Sequence, residues 1–258
     1  MKISVVINTY NAEQFLRRVL ESVKGFDEIV VCDMHSTDST VEIAEEYNCK
    51  VVYFEKHNVV EPARNFAIQS ASYEWVLVVD ADELVTPALR DYLYKCIEEP
   101  FSASGIFIPR KNYRMGRFMH GAYPDYVLRF FRRAGVYWSP EIHSVPRIEG
   151  EIITIPAKRK DLAFIHLVNN PLELEIRKTN IYTDDELKKR KGQKFSYCKM
   201  IYAPAFRFLK SFIFKGGFRD GKAGLVNAKL NAFYKFLTIA KVWEQEVDPD
   251  KIDKELKK

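Results

Sequence analysis

The chain has 258 residues, of which 47% are apolar and 29% charged, and it carries a formal net charge of +5. That composition excludes a disordered or collagen-like chain and supplies enough apolar mass for a sizeable core. The charge is split: residues 1–150 hold 17 Lys/Arg against 21 Asp/Glu, a net of −4, whereas residues 151–258 hold 23 against 14, a net of +9. An acidic half suits a bound cation, and a basic half suits an anionic partner.

The opening Met1-Lys2-Ile3-Ser4-Val5-Val6-Ile7 is too short for a secretory leader, and no stretch approaches the roughly 18 uncharged apolar residues of a membrane span. Ile3–Ile7 reads as a central strand. Asn11 is placed to cap a helix in which Phe15, Leu16, Val19, Leu20 and Val23 recur at helical spacing. Glu28–Cys32 forms a second strand, followed by Asp33 and a Ser/Thr-rich turn that opens a short helix near Val41. Lys50–Phe54 is the third strand. Pro62 fits the first turn of a helix carrying Arg64 and Asn65.

Trp75-Val76-Leu77-Val78-Val79 is an apolar run that ends abruptly in Asp80-Ala81-Asp82-Glu83. The run fits a strand buried on both faces, whose carboxyl end is where open α/β sheets place ligands. Crowded carboxylates there are costly unless a cation neutralises them, and their hard oxygens suit Mg²⁺ or Mn²⁺ beside a diphosphate. An isolated D-x-D is more often a solvated turn before a helix, so the case depends on what precedes it. Thr86-Pro87 starts the next helix. This alternation predicts an α/β fold, a mostly parallel sheet with helices on both faces.

After Pro100, Gly105–Pro109, Val127–Arg132 and Leu162–His166 read as shorter strands. From Pro171 the chain reads as helical, interrupted at Lys191-Gly192 and Lys215-Gly216-Gly217, with a charged, fraying tail over 248–258. Cys32, Cys49, Cys96 and Cys198 show neither a C-x-x-C pair nor zinc spacing; Cys32 and Cys96 lie in apolar contexts, as reduced core thiols do. The first strand ends in Asn8-Thr9-Tyr10-Asn11, without the glycines of a dinucleotide fingerprint, and no P-loop is present.

Four motifs in order carry a resemblance: Ser4–Asn11; Glu28–Asp33 with Ser36–Thr40; Ala63-Arg64-Asn65; and Asp80–Glu83. Together they resemble the family-2 glycosyltransferases, inverting enzymes of GT-A fold, in which a Rossmann-like sheet binds a nucleotide-sugar. Gly116–Gly121, Pro124–Arg133 and Phe218–Gly224 are similar to the branch that builds lipopolysaccharide cores. The resemblance implies that Thr9, Tyr10 and Asn11 line the nucleotide pocket, that Asp33, which by itself reads equally as a turn-capping acid, contacts a base (uracil the expected one), and that Arg64 stabilises the diphosphate or closes over the base. It implies further that Asp80 holds the ribose or sugar and that Asp82 binds a divalent cation, Mn or Mg. Several GT-A enzymes recruit a late histidine as another metal ligand; His166, at a strand end, is the candidate here, with a hydrogen-bonded structural role as the alternative and His143 as a rival.

Related enzymes often carry His-Glu where this chain has His143-Ser144, so the general base does not transfer. Asp125 and Glu141 remain, and Asp125 is favoured because Pro124-Asp125 opens the strand within the matched motif. His120 belongs to the same region and is a candidate acceptor contact; His35 and His57 read as surface or pocket-rim residues. The implied architecture is a catalytic, nucleotide-sugar-binding domain over 1–168 and a helical C-terminal region over 169–258. Between Lys188 and Lys222 lie eleven Lys/Arg, one acid and eight aromatic residues. That mixture either packs on the sheet or meets an anionic membrane surface.

The expectation is thus a cytoplasmic enzyme, peripheral on the membrane, that moves a sugar from a nucleotide-diphosphate sugar to a lipid-linked or cell-envelope glycan. A sugar-1-phosphate nucleotidyltransferase is the alternative, though it would open with a glycine-rich loop. A non-enzymatic RNA-binding protein is a further one, which leaves the acidic cluster without a purpose.

Overall fold

The structure, a computed structural model, describes residues 1–57, 60–98, 102–139, 144–167, 171–190 and 192–245. It divides into two compact units, one of residues 1–113 with 123–168 and the other of 114–122 with 169–258.

In the first unit, strands β1 (Ile3–Thr9), β2 (Glu28–Asp33), β3 (Lys50–Tyr53) and β4 (Trp75–Asp80) alternate with helices α1 (Glu13–Val23), α2 (Thr40–Glu46) and α3 (Glu61–Gln69). Next come β5 (Glu83–Leu84), α4 (Pro87–Glu98), β6 (Gly105–Arg114), β8 (Asp125–Arg132), β9 (Ile152–Thr154) and β10 (Phe164–His166), while the short β7 (Arg117–Phe118) belongs to the second unit. The sheet runs β3-β2-β1-β4-β8-β6-β10-β5, with β9 also on β6. The β1–β2, β1–β4, β2–β3, β6–β9 and β6–β10 pairs are parallel, while β8 runs antiparallel to both β4 and β6. Helices cover both faces, as the alternation predicts. Val5, Ile7, Leu77 and Val79 pack against Leu16, Leu20, Leu89 and Leu93 of α1 and α4; Val6, Val30, Val76 and Val78 pack against Ala63, Ala67 and Ile68 of α3. Each such Val, Leu or Ile contributes about 1.5–3 kcal/mol by leaving water.

One local expectation is corrected. Asn11 does not cap α1: Ala12 occupies the N-cap position without a side-chain bond, and Asn11 has φ of +47°. Its Oδ1 instead accepts from the Thr37 amide at 2.8 Å, tying the loop after β1 to the loop after β2. Asparagine tolerates this left-handed conformation better than most side chains. The Thr86 cap holds, its Oγ1 accepting from the Leu89 amide at 3.1 Å.

The second unit contains α5 (Leu172–Lys189), α6 (Tyr197–Leu209) and α7 (Gly221–Glu244), with α6 and α5 both packed on α7. Ser196 caps α6, whose C-terminal end widens into a π-helical turn over Lys210–Phe214. Gly216, at φ of +72°, reverses the chain into a 3₁₀ turn over Gly217–Asp220 that leads into α7. Asp220 is buried there and accepts from the His120 amide at 3.0 Å and faces His120 Nδ1 at 2.7 Å. Among the described residues no helix is long and apolar enough to cross a membrane.

Candidate active site

Sheet register assembles the site. Arg110 of β6 lies opposite Asp125 of β8, Asn112 of β6 is aligned with His166 of β10, and His166 lies opposite Glu83 of β5. These side chains gather beyond the carboxyl end of β4, where Asp80 and Asp82 emerge. A cleft of about 380 Å³ opens there, lined by Arg64, Asp80, Arg110, Asp125, Arg129 and Trp138 among others.

Arginines and carboxylates interlock along one wall. Asp80 accepts from Arg64 Nη2 at 2.9 Å through Oδ1 and from Arg129 Nη2 at 2.6 Å through Oδ2. Glu83 has no exposed surface; its Oε1 accepts from Arg110 Nη1 at 2.8 Å and its Oε2 from the Asp80 amide at 3.2 Å. The Trp138 ring lies 4.5 Å from the Arg64 guanidinium and 5.1 Å from that of Arg129, within cation–π range of both.

The two carboxylates are driven apart in acidity. Burial would raise the Asp80 carboxyl, but Arg129 and Arg64 hold it well below the usual carboxylate range. Burial pushes Glu83 up, the Asp80 charge adds to that, and Arg129 and Arg110 offset only part of it. Arg64 Nε and Nη1 and Arg129 Nε are buried and find no hydrogen-bond partner among the described residues. Buried donors left unpaired cost about 1–3 kcal/mol each.

Beside this wall, Asp82 Oδ2 lies 3.3 Å from His166 Nε2. The protonation of the ring follows from its other side. Asn112 Nδ2 donates to Asp125 Oδ2 at 3.0 Å, and a carboxylate only accepts; this turns Asn112 Oδ1 toward His166 Nδ1, 2.7 Å away. Nδ1 therefore carries a proton. In the neutral ring the Nε2 lone pair then faces the Asp82 carboxylate, an acceptor–acceptor contact that a cation between them would relieve. The set fits a divalent ion of the Mn²⁺ or Mg²⁺ kind, with one carboxylate, one imidazole and an amide fixing the ring from behind. Among the described residues no cluster of three or more His, Cys, Asp or Glu converges, so further ligands would come from substrate oxygens or water.

Asp125 is 37% exposed and receives Arg110 Nε at 2.9 Å, Arg110 Nη2 at 2.6 Å and the Asn112 amide all on Oδ2. Burial lowers Arg110, but Glu83 and Asp125 outweigh that and push it above the ordinary arginine value. Glu141 and the rival His143 lie outside the described residues. Ser144 is structural: its Oγ donates to Ser139 O at 2.6 Å and its carbonyl accepts from Trp138 Nε1 at 3.1 Å, which helps fix the indole beneath the arginines.

The loop residues divide. Asp33 is fully buried, with Oδ1 accepting from Thr9 Oγ1 at 2.8 Å and Ser36 Oγ at 2.6 Å and Oδ2 from the Ser36 amide at 2.7 Å. Here it braces the turn, and Thr9 is buried with it. Tyr10 is 37% exposed, with Lys56 Nζ over its ring. Arg110, Arg129, Asn112 and Trp138 enter the site without having been singled out from the sequence.

A family model for glycosyl transferase family 2 matches residues 4–145. The chain belongs to that family. It is therefore a nucleotide-sugar-dependent glycosyltransferase of an inverting family. This family-2 chain is 28% identical over 261 residues to the lipopolysaccharide core biosynthesis glycosyltransferase LpsC of Rhizobium meliloti, covering 95% of this chain and 93% of that one. It is 27% identical over 264 residues to an uncharacterized glycosyltransferase of Rickettsia typhi, covering 94% and 87%. Among solved structures, the mannosyltransferase PcManGT from Pyrobaculum calidifontis, in complex with GDP-Man and Mn²⁺, matches with a TM-score of 0.56 at 15% identity, over 95% of this chain and 88% of that one. That likeness shows the GT-A fold.

Proposed function

We propose that this family-2 enzyme transfers a sugar from a nucleoside-diphosphate sugar, with uridine as the expected nucleotide, to a hydroxyl of a lipid-linked or lipopolysaccharide-type glycan, assisted by a divalent cation. Similarity to LpsC along nearly the whole chain supports the acceptor class. The observation that carries the donor reading is the set of buried, unpartnered N–H groups of Arg64 and Arg129 beside the Asp82–His166 pair.

Asp82 and His166 would hold the metal, and its charge would neutralise the departing nucleoside diphosphate. Arg64 and Arg129 donate to the same developing charge, pre-oriented by Asp80 and by the Trp138 face, so little reorganisation is needed as charge grows. Asp80 meets the ribose or sugar through a remaining lone pair while both arginines stay bound to it. Tyr10 and Asn11 border the nucleotide, while Thr9 and Asp33 keep that loop in shape. Asp125 acts as the base: Arg110 and Asn112 fix Oδ2, which leaves Oδ1 to accept the proton of the acceptor hydroxyl as the new glycosidic bond forms. The basic helical unit meets an anionic membrane surface at the cytoplasmic face.

Thermal melts against UDP, GDP and an RNA oligomer, with and without Mn²⁺, test this. The expected result is a Mn²⁺-dependent rise with a nucleoside diphosphate, about 2.7 kcal/mol at a hundred times Kd. No shift with either nucleotide, or a shift with RNA alone, would remove the reading.

A further inference from the structure

The helical unit contains a concentration of charge that the donor site does not use. A cleft of about 310 Å³ lies within it, lined by Arg207, Lys210, Ser211, Lys215, Asn227 and Asn231. None of its three cations has a carboxylate partner among the described residues, in contrast to Arg114, which is paired with Glu175, and Arg190, which is paired with Glu186.

We propose that this cleft is a binding site for a phosphate group borne on a sugar. Arg207 closes α6, Lys210 opens the π-helical turn and Lys215 ends it, so three cations on one short length of chain face the same hollow. Arginine supplies a planar fork and the lysines supply point charges, the combination suited to phosphate oxygens. A helix C-terminus favours cations by itself, but that accounts for charge near the last carbonyls and not for a hollow behind them. On the other side of Arg207 and Lys210 a second cleft of about 310 Å³ includes Arg190 and Lys235. Lys235, in that second cleft, is lowered by burial and by the charges of Arg190, Lys199 and Arg207, with Glu186 opposing, so Arg207 already has cations on that side. An anion held by Arg207 would ease that crowding.

The remaining wall points to a sugar as the carrier. Asn227 gives its Oδ1 to Arg114 Nη1 and so keeps Nδ2 free to donate. Asn231 donates Nδ2 to the Asn227 carbonyl at 2.9 Å and so keeps Oδ1 free to accept. Together with Ser211 they offer one amide donor, one amide acceptor and one hydroxyl, which suits ring hydroxyl groups better than acyl chains. Four residues apart on α7, the two amides share a face. Assigning this sugar phosphate to the acceptor glycan rests on the transferase reading above; the anion site itself does not.

Titration of the full chain with glucose 6-phosphate, inorganic phosphate and glucose, followed by ³¹P or ¹H NMR, tests the site. The expected result is saturable binding of glucose 6-phosphate, tighter than inorganic phosphate and absent for glucose, and weakened at least about tenfold in Arg207→Gln/Lys210→Gln. Retained Mn²⁺-dependent UDP binding in that variant reports an intact fold and donor site. Equal binding by wild type and variant would overturn the proposal. So would attachment to vesicles containing phosphatidic acid with no response to glucose 6-phosphate, which would make this a lipid-headgroup surface. Should the double variant fail to fold, Lys215→Gln alone carries the same expectation. UDP and glucose 6-phosphate report on different units, so failure of either reading is seen separately.

Discussion

Asp125 lines the cleft and takes three hydrogen bonds on one oxygen, which would hold the proposed base in place. Asp125→Asn should lower turnover by at least about a hundredfold while sparing donor binding, measured by initial rates and by nucleotide titration; near-normal turnover would move the role to Glu141. Loss of His166 should cost metal affinity. Mn²⁺ titration of His166→Ala, with Asp82→Ala as the positive control, should show at least about tenfold weaker binding, and an unchanged affinity would leave His166 a structural residue. Arg129→Met leaves Asp80 with Arg64 alone and should destabilise the protein by about 3 kcal/mol near neutral pH. Because Asp80 titrates well below its ordinary value, its pairing stabilises above that value and is lost as pH falls through the folded one, so the gap between Arg129→Met and wild type should narrow in acid denaturation series. Asp80, Asp82, Arg64 and Asp125 were legible because they sit in ordered motifs. Arg129 left a weaker mark: a charge inside Val127-Leu128-Arg129-Phe130-Phe131 cannot remain unpaired in a buried strand, yet its partner 49 positions away is not visible along the chain.

Strands and helices were largely readable because apolar periodicity follows from burial, and both sheet faces are buried. The pieces that escaped were β5, β7 and β9, two, two and three residues long, too short for any periodicity to show. Asn11 misled for a different reason: a side chain suited to capping also tolerates a left-handed backbone, and the loop after β2 supplied a better partner. The glycines after the π-helical turn read as an interruption, and the structure gives the cause. A Cβ on Gly224 would lie 1.9 Å from the Gly217 carbonyl oxygen, so the first turn of α7 closes directly on the preceding backbone. Gly224→Ala should cost about 2–3 kcal/mol and several degrees in Tm, read by calorimetry. An unchanged Tm would mean that this contact yields easily.

The charge division written in the sequence becomes a chemical division between an acidic, cation-ready sheet unit and a basic helical one. Aromatic residues interleaved with the lysines had two readings, packing on the sheet or meeting a membrane; Tyr197, Phe206 and Phe214 are 78%, 58% and 75% exposed, and the second reading is the one proposed above. Flotation with anionic liposomes should show binding at low salt that weakens as salt rises; no salt-sensitive binding would remove the membrane from the proposal. Within the sheet unit, Asn112 has a consequence of its own. A single planar amide grips the imidazole at one edge and the base at the other, and a rigid plate cannot tilt at one rim without tilting at its opposite rim. The proposed ion ligand and the proposed proton acceptor thereby share one support, so a substitution at Asn112 would disturb both at once.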